Sequence, residues 1–219
     1  MKLTLETFNP QRPLGFIVFE GVNGSGKSTL LRSVTNWLST QEKPTLATQE
    51  PGGTDFGLVL RKMLLESPSS ERSPMAEALL FTADRAQHVE KAIHPALAER
   101  KFVLSDRYYY STVAFQGYGH GLSIKSLLQL STIATKNLIP DLVFLLDIDP
   151  QVGLTRNAEK NEIDSFEDHE IAFHNKIRNG FLKLAHSLPD PFVILDANLS
   201  QDELLKQALP YIEKLINAS

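Results

Sequence analysis

The ten residues Gly21-Val22-Asn23-Gly24-Ser25-Gly26-Lys27-Ser28-Thr29-Leu30, GVNGSGKSTL, decide the fold. Gly21 to Ser28 fill every fixed position of G-x-x-x-x-G-K-[ST]. The glycines let the backbone turn its N–H groups inward, and a helix N-terminus behind them favours an anion. Lys27 is then placed to neutralise β- and γ-phosphates, and the Ser28 hydroxyl to ligate Mg²⁺. The stretch from Gly21 to Thr29 is therefore expected to bind a nucleoside triphosphate. By itself it leaves open what accepts the phosphoryl group.

The surroundings fit that loop. GFIVFE (15–20) before it is a short apolar run rich in strand formers, and Leu30, Leu31, Val34 and Leu38 mark the buried face of a helix over 27–40. PTLATQ (44–49), KFVLSD (101–106), DLVFLLDI (141–148) and PFVILD (191–196) are four further strand candidates. Helical patterns separate them: one near GLVLRKMLLE, one from Pro74 through Arg100 with a break before Pro95, one over 121–138 capped by Ser123, two over 150–160 and 166–188, and one over 200–217. Short apolar strands alternating with helices predict an α/β fold with a parallel sheet covered on both faces. Residues 1–14 carry Pro10 and Pro13 and read as an irregular arm, and 66–74 as a polar link.

Composition sets outer bounds. The chain has 219 residues of which 42% are hydrophobic, enough for one domain with a sizeable core. There is no cysteine, which fits a reducing compartment and excludes thiolate metal sites. A formal net charge of -4 gives no reason to expect nucleic-acid binding. The start lacks a signal-peptide core, and no apolar run approaches the ~20 residues of a membrane span, so a cytoplasmic protein without membrane attachment is expected. HEIAFH (169–174) fails as a zinc site: its histidines are five apart, where a helical pair needs four.

FIVFEGVNGSGKSTL, TQEPGGT (48–54), LLFTADRAQHVEKAIHPAL (79–97), SDRYYYSTVAFQG (105–117) and DPQVGLTR (149–156) occur in the order seen in bacterial thymidylate kinases, and from about Gly15 onward the chain resembles that family. The resemblance implies a P-loop kinase fold in a single domain, with a five-stranded parallel sheet in the order 2-3-1-4-5, helices on both faces and a short helical lid at about 150–168. It implies transfer of the γ-phosphoryl of ATP to dTMP, giving dTDP, with Mg²⁺, in a homodimer. The competing acceptors are another nucleotide or a deoxynucleoside, and the competing class is a catalytically weakened nucleotide-binding regulator.

Site residues follow from the same resemblance. Lys27, Asp106, Arg107 and Arg156 are the implied catalytic group, with Ser28 and Asp106 at the metal and Asp147 as a rival carboxylate. Arg107 as a clamp on the acceptor phosphate argues for a substrate that already carries phosphate. Phe81 and Arg85, four apart on one helix face, are implied to stack on and hydrogen-bond to thymine. Glu50 and Pro51 form a turn lining the acceptor site, Ser111, Thr112 and Gln116 lie near the base, and Phe115 lies near the sugar. Arg61 is a further candidate phosphate ligand. Three departures stand out. Gln49 replaces a common Arg, and the stretch from Arg156 through Lys160 to Glu167 is less basic than the family lid, with Ser165 after Asp164. Asn23 stands where relatives usually carry Asp or Glu, a carboxylate implied to reach the sugar 3′-hydroxyl. The amide oxygen of Asn keeps an acceptor there without the charge.

Overall fold

The computed structural model describes residues 14–66, 72–160 and 170–218. Five parallel strands, β1 (Phe16–Glu20), β2 (Thr45–Gln49), β3 (Phe102–Asp106), β4 (Leu142–Asp147) and β5 (Phe192–Asp196), form one sheet in the order β2-β3-β1-β4-β5. β1 is buried along its whole length between β3 and β4, which is why it reads as an unbroken apolar run up to Glu20. Asp141 fixes its start: the Gly15 and Phe16 N–H groups both donate to Asp141 Oδ2 at 2.8 Å. Register places Phe19 opposite both Asp106 and Phe144, so the carboxyl ends of β1, β3 and β4 lie side by side. In an open α/β sheet this is where the winding reverses and where ligands bind.

The helices are α1 (Lys27–Thr40), α2 (Asp55–Glu66), α3 (Pro74–His88), α4 (His94–Ala98), α5 (Tyr109–Thr112), α6 (Ile124–Thr135), α7 (Pro150–Lys160), α8 (Ile171–Ser187) and α9 (Gln201–Asn217). One continuous buried cluster joins the sheet to these helices, from Phe16, Phe19 and Leu30 through Phe144 to Ile212. Each such large side chain contributes roughly 1.5–3 kcal/mol by leaving water. Side-chain caps open three of the helices: Ser73 accepts from Ala76 N–H, Ser123 from Ser126 N–H, and Ser200 forms a reciprocal capping box with Glu203.

The structure departs from the sequence-based expectation in four places. The helix expected to break before Pro95 runs on, because Val89–Ile93 widens into a π-helical turn that makes room for the proline ring. Tyr109–Gly119, given no element from sequence, is helical: α5 passes into a π-helical segment Val113–Gly119. Its aromatic, β-branched and glycine residues are poor helix formers, and burial of Tyr109 through Gly117 overrides that preference. α6 ends at Thr135 because Lys136 and Asn137 both have left-handed φ, 52° and 61°. α8 begins at Ile171 with Glu170 at its cap, and residues 161–169 lie outside the described residues. Among the described residues no helix is long and apolar enough to cross a membrane.

Candidate active site

The loop after β1 turns sharply into α1, with Gly26 at φ 91°. Its tip is capped closely by α7: a Cβ on Gly24 would lie 1.9 Å from the Gly153 carbonyl oxygen, so only glycine allows that approach. Lys27 Nζ donates to Val22 O at 2.9 Å and to Ser25 Oγ at 3.4 Å, which holds the ammonium inside the loop. The Ser28 hydroxyl donates to Asp106 Oδ2 across the mouth of the loop. A cleft of about 430 Å³ opens here, lined by Gly24, Gly26, Lys27, Ser28, Thr29, Asp106, Arg107 and Asn157. Ser28 and Asp106 present a hydroxyl and a carboxylate side by side, an all-oxygen pair suited to Mg²⁺, an ion that keeps water and phosphate oxygens for its remaining positions.

A second cavity adjoins this cleft. Asn23, Glu50, Pro51, Phe81, Arg85, Arg107, Ser111, Thr112, Phe115 and Gln116 all line it, together with Arg61, Leu65 and Tyr108. Arg85 is not the solvated charge that its position alone suggests; it is 1% exposed. Its Nε donates to Glu50 Oε2 at 2.8 Å and its Nη2 to Thr112 Oγ1 at 3.1 Å, while Nη1 has no hydrogen-bond partner among the described residues. Gln116, also 1% exposed, donates from Nε2 to Glu77 Oε2 at 3.3 Å, and its Oε1 has no hydrogen-bond partner among the described residues. Because Glu77 accepts, the amide is fixed with its oxygen away from the carboxylate. A buried donor and a buried acceptor, both without a partner among the described residues, thus belong to residues that line one cavity.

Beneath Arg85, His88 Nδ1 meets Glu50 Oε1 at 3.0 Å and its Nε2 meets Thr48 Oγ1 at 2.7 Å. Asp84 accepts from the Gly52 N–H at 3.1 Å, and burial, aided by the Glu50 charge, pushes its carboxyl up to about 6. These two residues, four apart on α3, support the Glu50-Pro51-Gly52 turn, and sequence reasoning missed both. Arg61 Nη1 donates to Pro51 O at 2.9 Å, which ties α2 to the same turn.

Arg107 lines both cavities, as do Asn23, Glu50 and Arg61. Its Nη2 donates to Asn23 Oδ1 at 2.5 Å, and its Nη1 donates to Gly21 O at 3.1 Å and Ser111 Oγ at 2.9 Å. Its guanidinium also lies over the Phe115 ring, 5.4 Å from the centroid. The following tyrosines anchor this turn. Tyr109 and Tyr110 donate to Asp190 Oδ2 at 2.6 and 2.7 Å, and burial first of all raises both hydroxyls above their ordinary value.

Three residues lie apart from this group. Arg156 Nη1 donates to Ala197 O at 2.9 Å, beside the loop between β5 and α9; its neighbour Asn157 is the α7 residue that lines the phosphate-loop cleft. Asp147 is held by Arg178 through a two-pronged pair at 2.7 and 2.9 Å. His174 is buried beside the Phe173 ring, while His169, Asp164, Ser165 and Glu167 lie outside the described residues.

A phosphate loop at the carboxyl edge of a 2-3-1-4-5 parallel sheet, with a second cavity that shares Arg107 with it, defines a P-loop phosphotransferase of the nucleotide kinase class. The family pattern for thymidylate kinase matches residues 19–208, and the chain belongs to that family. It is 42% identical over 202 residues to a thymidylate kinase of Lactobacillus helveticus, covering 91% of this chain and 95% of the relative. It is 45% identical over 190 residues to one of Nostoc punctiforme, covering 85% and 89%. The crystal structure of thymidylate kinase from Ehrlichia chaffeensis superimposes with a TM-score of 0.74 at 27% identity, covering 91% of this chain and 98% of that one.

Proposed function

We propose that the protein transfers the γ-phosphoryl of ATP to dTMP, yielding dTDP and ADP. The observation that carries the choice of acceptor is the pair of unpartnered buried atoms, Arg85 Nη1 and Gln116 Oε1. Thymine presents an acceptor, O4, beside a donor, N3–H, and that edge complements the pair. Phe81 is placed to supply a stacking face. Asn23, Arg107 and Phe115 lie toward the sugar and phosphate end of the nucleotide.

ATP lies with its β- and γ-phosphates in the Gly21–Thr29 loop, where Lys27 turns from Val22 O toward the γ-phosphate. Ser28 and Asp106 would hold Mg²⁺, which would supply neutralisation of phosphate charge. Arg107 grips the acceptor phosphate and brings one of its oxygens in line with the γ-phosphorus. The O–P bond to dTMP forms as the bond to ADP breaks. Little covalent help is required, so positioning and charge supply most of the rate. α7 supplies the donor side: Gly153 meets the loop tip, Asn157 lines the cleft, and Arg156 is near enough to swing toward bound ATP. The test is an ADP-release assay over the nucleoside monophosphates and deoxynucleosides. We expect dTMP to be favoured over every other acceptor; turnover equal across acceptors, or absent with all of them, would overturn the proposal.

The enzyme acts as a homodimer. α2 packs on α3 and α3 on α6. Phe56, Val59 and Met63 on α2, Met75 and Leu79 on α3, and Ile133 on α6 are all more than 40% exposed. Large apolar side chains gathered on neighbouring helices mark a surface that another protein covers, and a self-complementary face suits a second copy. In sedimentation equilibrium we expect the parent to have dimer mass and the Val59→Glu, Met63→Glu double variant to have monomer mass. A monomeric parent would sink the assignment. A cytoplasmic location fits two diffusible nucleotide substrates and a chain without cysteine.

A further inference from the structure

Glu20 ends β1 immediately before the phosphate loop, and its carboxylate is completely buried. It has not been needed for any step described above. Three donors from the Arg107 turn meet it: Tyr108 N–H at 2.8 Å and Ser111 N–H at 3.2 Å on Oε1, and the Ser111 hydroxyl at 2.6 Å on Oε2. Ser111 in turn accepts from Arg107 Nη1 at 2.9 Å. Lys27 and Arg107 are the charged groups whose fields reach Glu20. Arg107 itself has φ 71°, a left-handed conformation that a residue with a side chain adopts only where its surroundings impose it. Its N–H donates to Phe19 O at 2.9 Å, its carbonyl accepts from Ser105 Oγ at 2.8 Å, and the next N–H is the one that Glu20 takes.

We infer that Glu20 is a positioning residue for phosphoryl transfer: through Tyr108 and Ser111 it holds the Arg107 turn and aims the Arg107 guanidinium at the acceptor phosphate. A carboxylate suits this task because it accepts all three bonds at once, whereas Gln at this position offers one acceptor and one competing donor. The Ser111 hydroxyl then has to re-aim, and Arg107 loses both the hydrogen-bond chain and the negative charge behind it. Glu20 serves the acceptor side, since none of its three bonds reaches the Gly24–Thr29 part of the loop. The stability sign points the other way. Burial pushes the Glu20 carboxyl up to about 7, against an ordinary value of 4.5. Its contribution to stability is therefore full below the ordinary value and is lost as pH rises through about 7. Replacing it with Gln removes that loss.

The inference rests on Arg107 as the acceptor clamp, so Arg107→Lys is measured alongside, in full-length protein, with dTMP and ATP varied in turn. If Arg107→Lys leaves dTMP kcat/KM unchanged, the clamp itself is misassigned and the inference falls with it. With the clamp upheld, Glu20→Gln is expected to lower kcat/KM for dTMP about tenfold or more while leaving the KM for ATP within about twofold. Its Tm at about pH 8 is expected to equal or exceed the parent's. Ser111→Ala is expected to cause an acceptor-selective loss that does not multiply with that of Glu20→Gln. Unchanged dTMP kinetics in Glu20→Gln, equal losses for both substrates, or multiplying losses in the double variant would overturn the inference. If Glu20→Gln fails to fold, Ser111→Ala in the Arg107→Lys background decides. No further loss supports a route through Arg107, and a further tenfold loss overturns it.

Discussion

Lys27→Ala is expected to lower turnover about 10³-fold at saturating ATP and dTMP, since a preorganised donor facing developing charge supplies two to three orders of magnitude. Lys27 is only 7% exposed, so its charge acts in a site largely stripped of water. Its ammonium already sits inside the loop on Val22 O and Ser25 Oγ, a short swing from any phosphate bound there. Stability is expected to change little. Position 27 is the first residue of α1, where Ala is at least as good a helix former, and removing a buried cation there relieves its desolvation. The check pairs single-turnover kinetics with a thermal melt. A folded Lys27→Ala protein with near-normal turnover would remove the loop from the chemistry and end the phosphotransferase assignment.

The loop was legible because each of its residues answers a local demand. Glycine is needed where the backbone is left-handed or crowded, lysine and serine where phosphate and metal bind, and an apolar run where a strand is buried on both faces. The same local logic placed the five strands to within a residue or two, while their order in the sheet came from the family resemblance. It failed where the cause is tertiary. The Tyr109–Gly119 helix is made of residues that disfavour helix, and only the core formed with α3, α6 and α8 holds it. Glu20 hid at the end of an apolar strand, since nothing in FIVFE shows that its last side chain turns inward toward a segment 88 residues away. Arg85 could be named from a family pattern, but its burial against Glu50 could not be read from a helix face. The charge network of Asp84, His88 and Glu50 joins segments distant in sequence, so no spacing reveals it.

That network shapes the second large effect. Arg85→Ala would strip Glu50 of its arginine and leave a buried carboxylate with only His88 beside it, a loss of several kcal/mol in folding that would obscure any effect on substrate. Arg85→Lys keeps a cation for Glu50 but lacks the planar fork, and so removes the unpartnered Nη1 donor of this cavity-lining residue. With the thymine O4 left unpaired in a dry pocket, kcat/KM for dTMP is expected to fall about 10²-fold, near the upper range for one buried hydrogen bond. The KM for ATP is expected to stay unchanged, because Arg85 does not line the phosphate-loop cleft. Selectivity gives the sharper readout. Cytosine offers an amino donor where thymine offers O4, and an acceptor at N3 where thymine offers a donor, so the parent pair opposes it twice. Arg85→Lys relaxes the first conflict, since a flexible ammonium can move away where the fixed guanidinium cannot. Glu77→Gln relaxes the second, because the Gln116 amide is held one way round only by a carboxylate that must accept. Each variant is therefore expected to lower the ratio of kcat/KM for dTMP over dCMP by about tenfold or more, the worth of one hydrogen bond to the wrong partner. A ratio that stays at the parent value in both variants, or equal losses for ATP and dTMP in Arg85→Lys, would mean that the thymine edge is read by other residues.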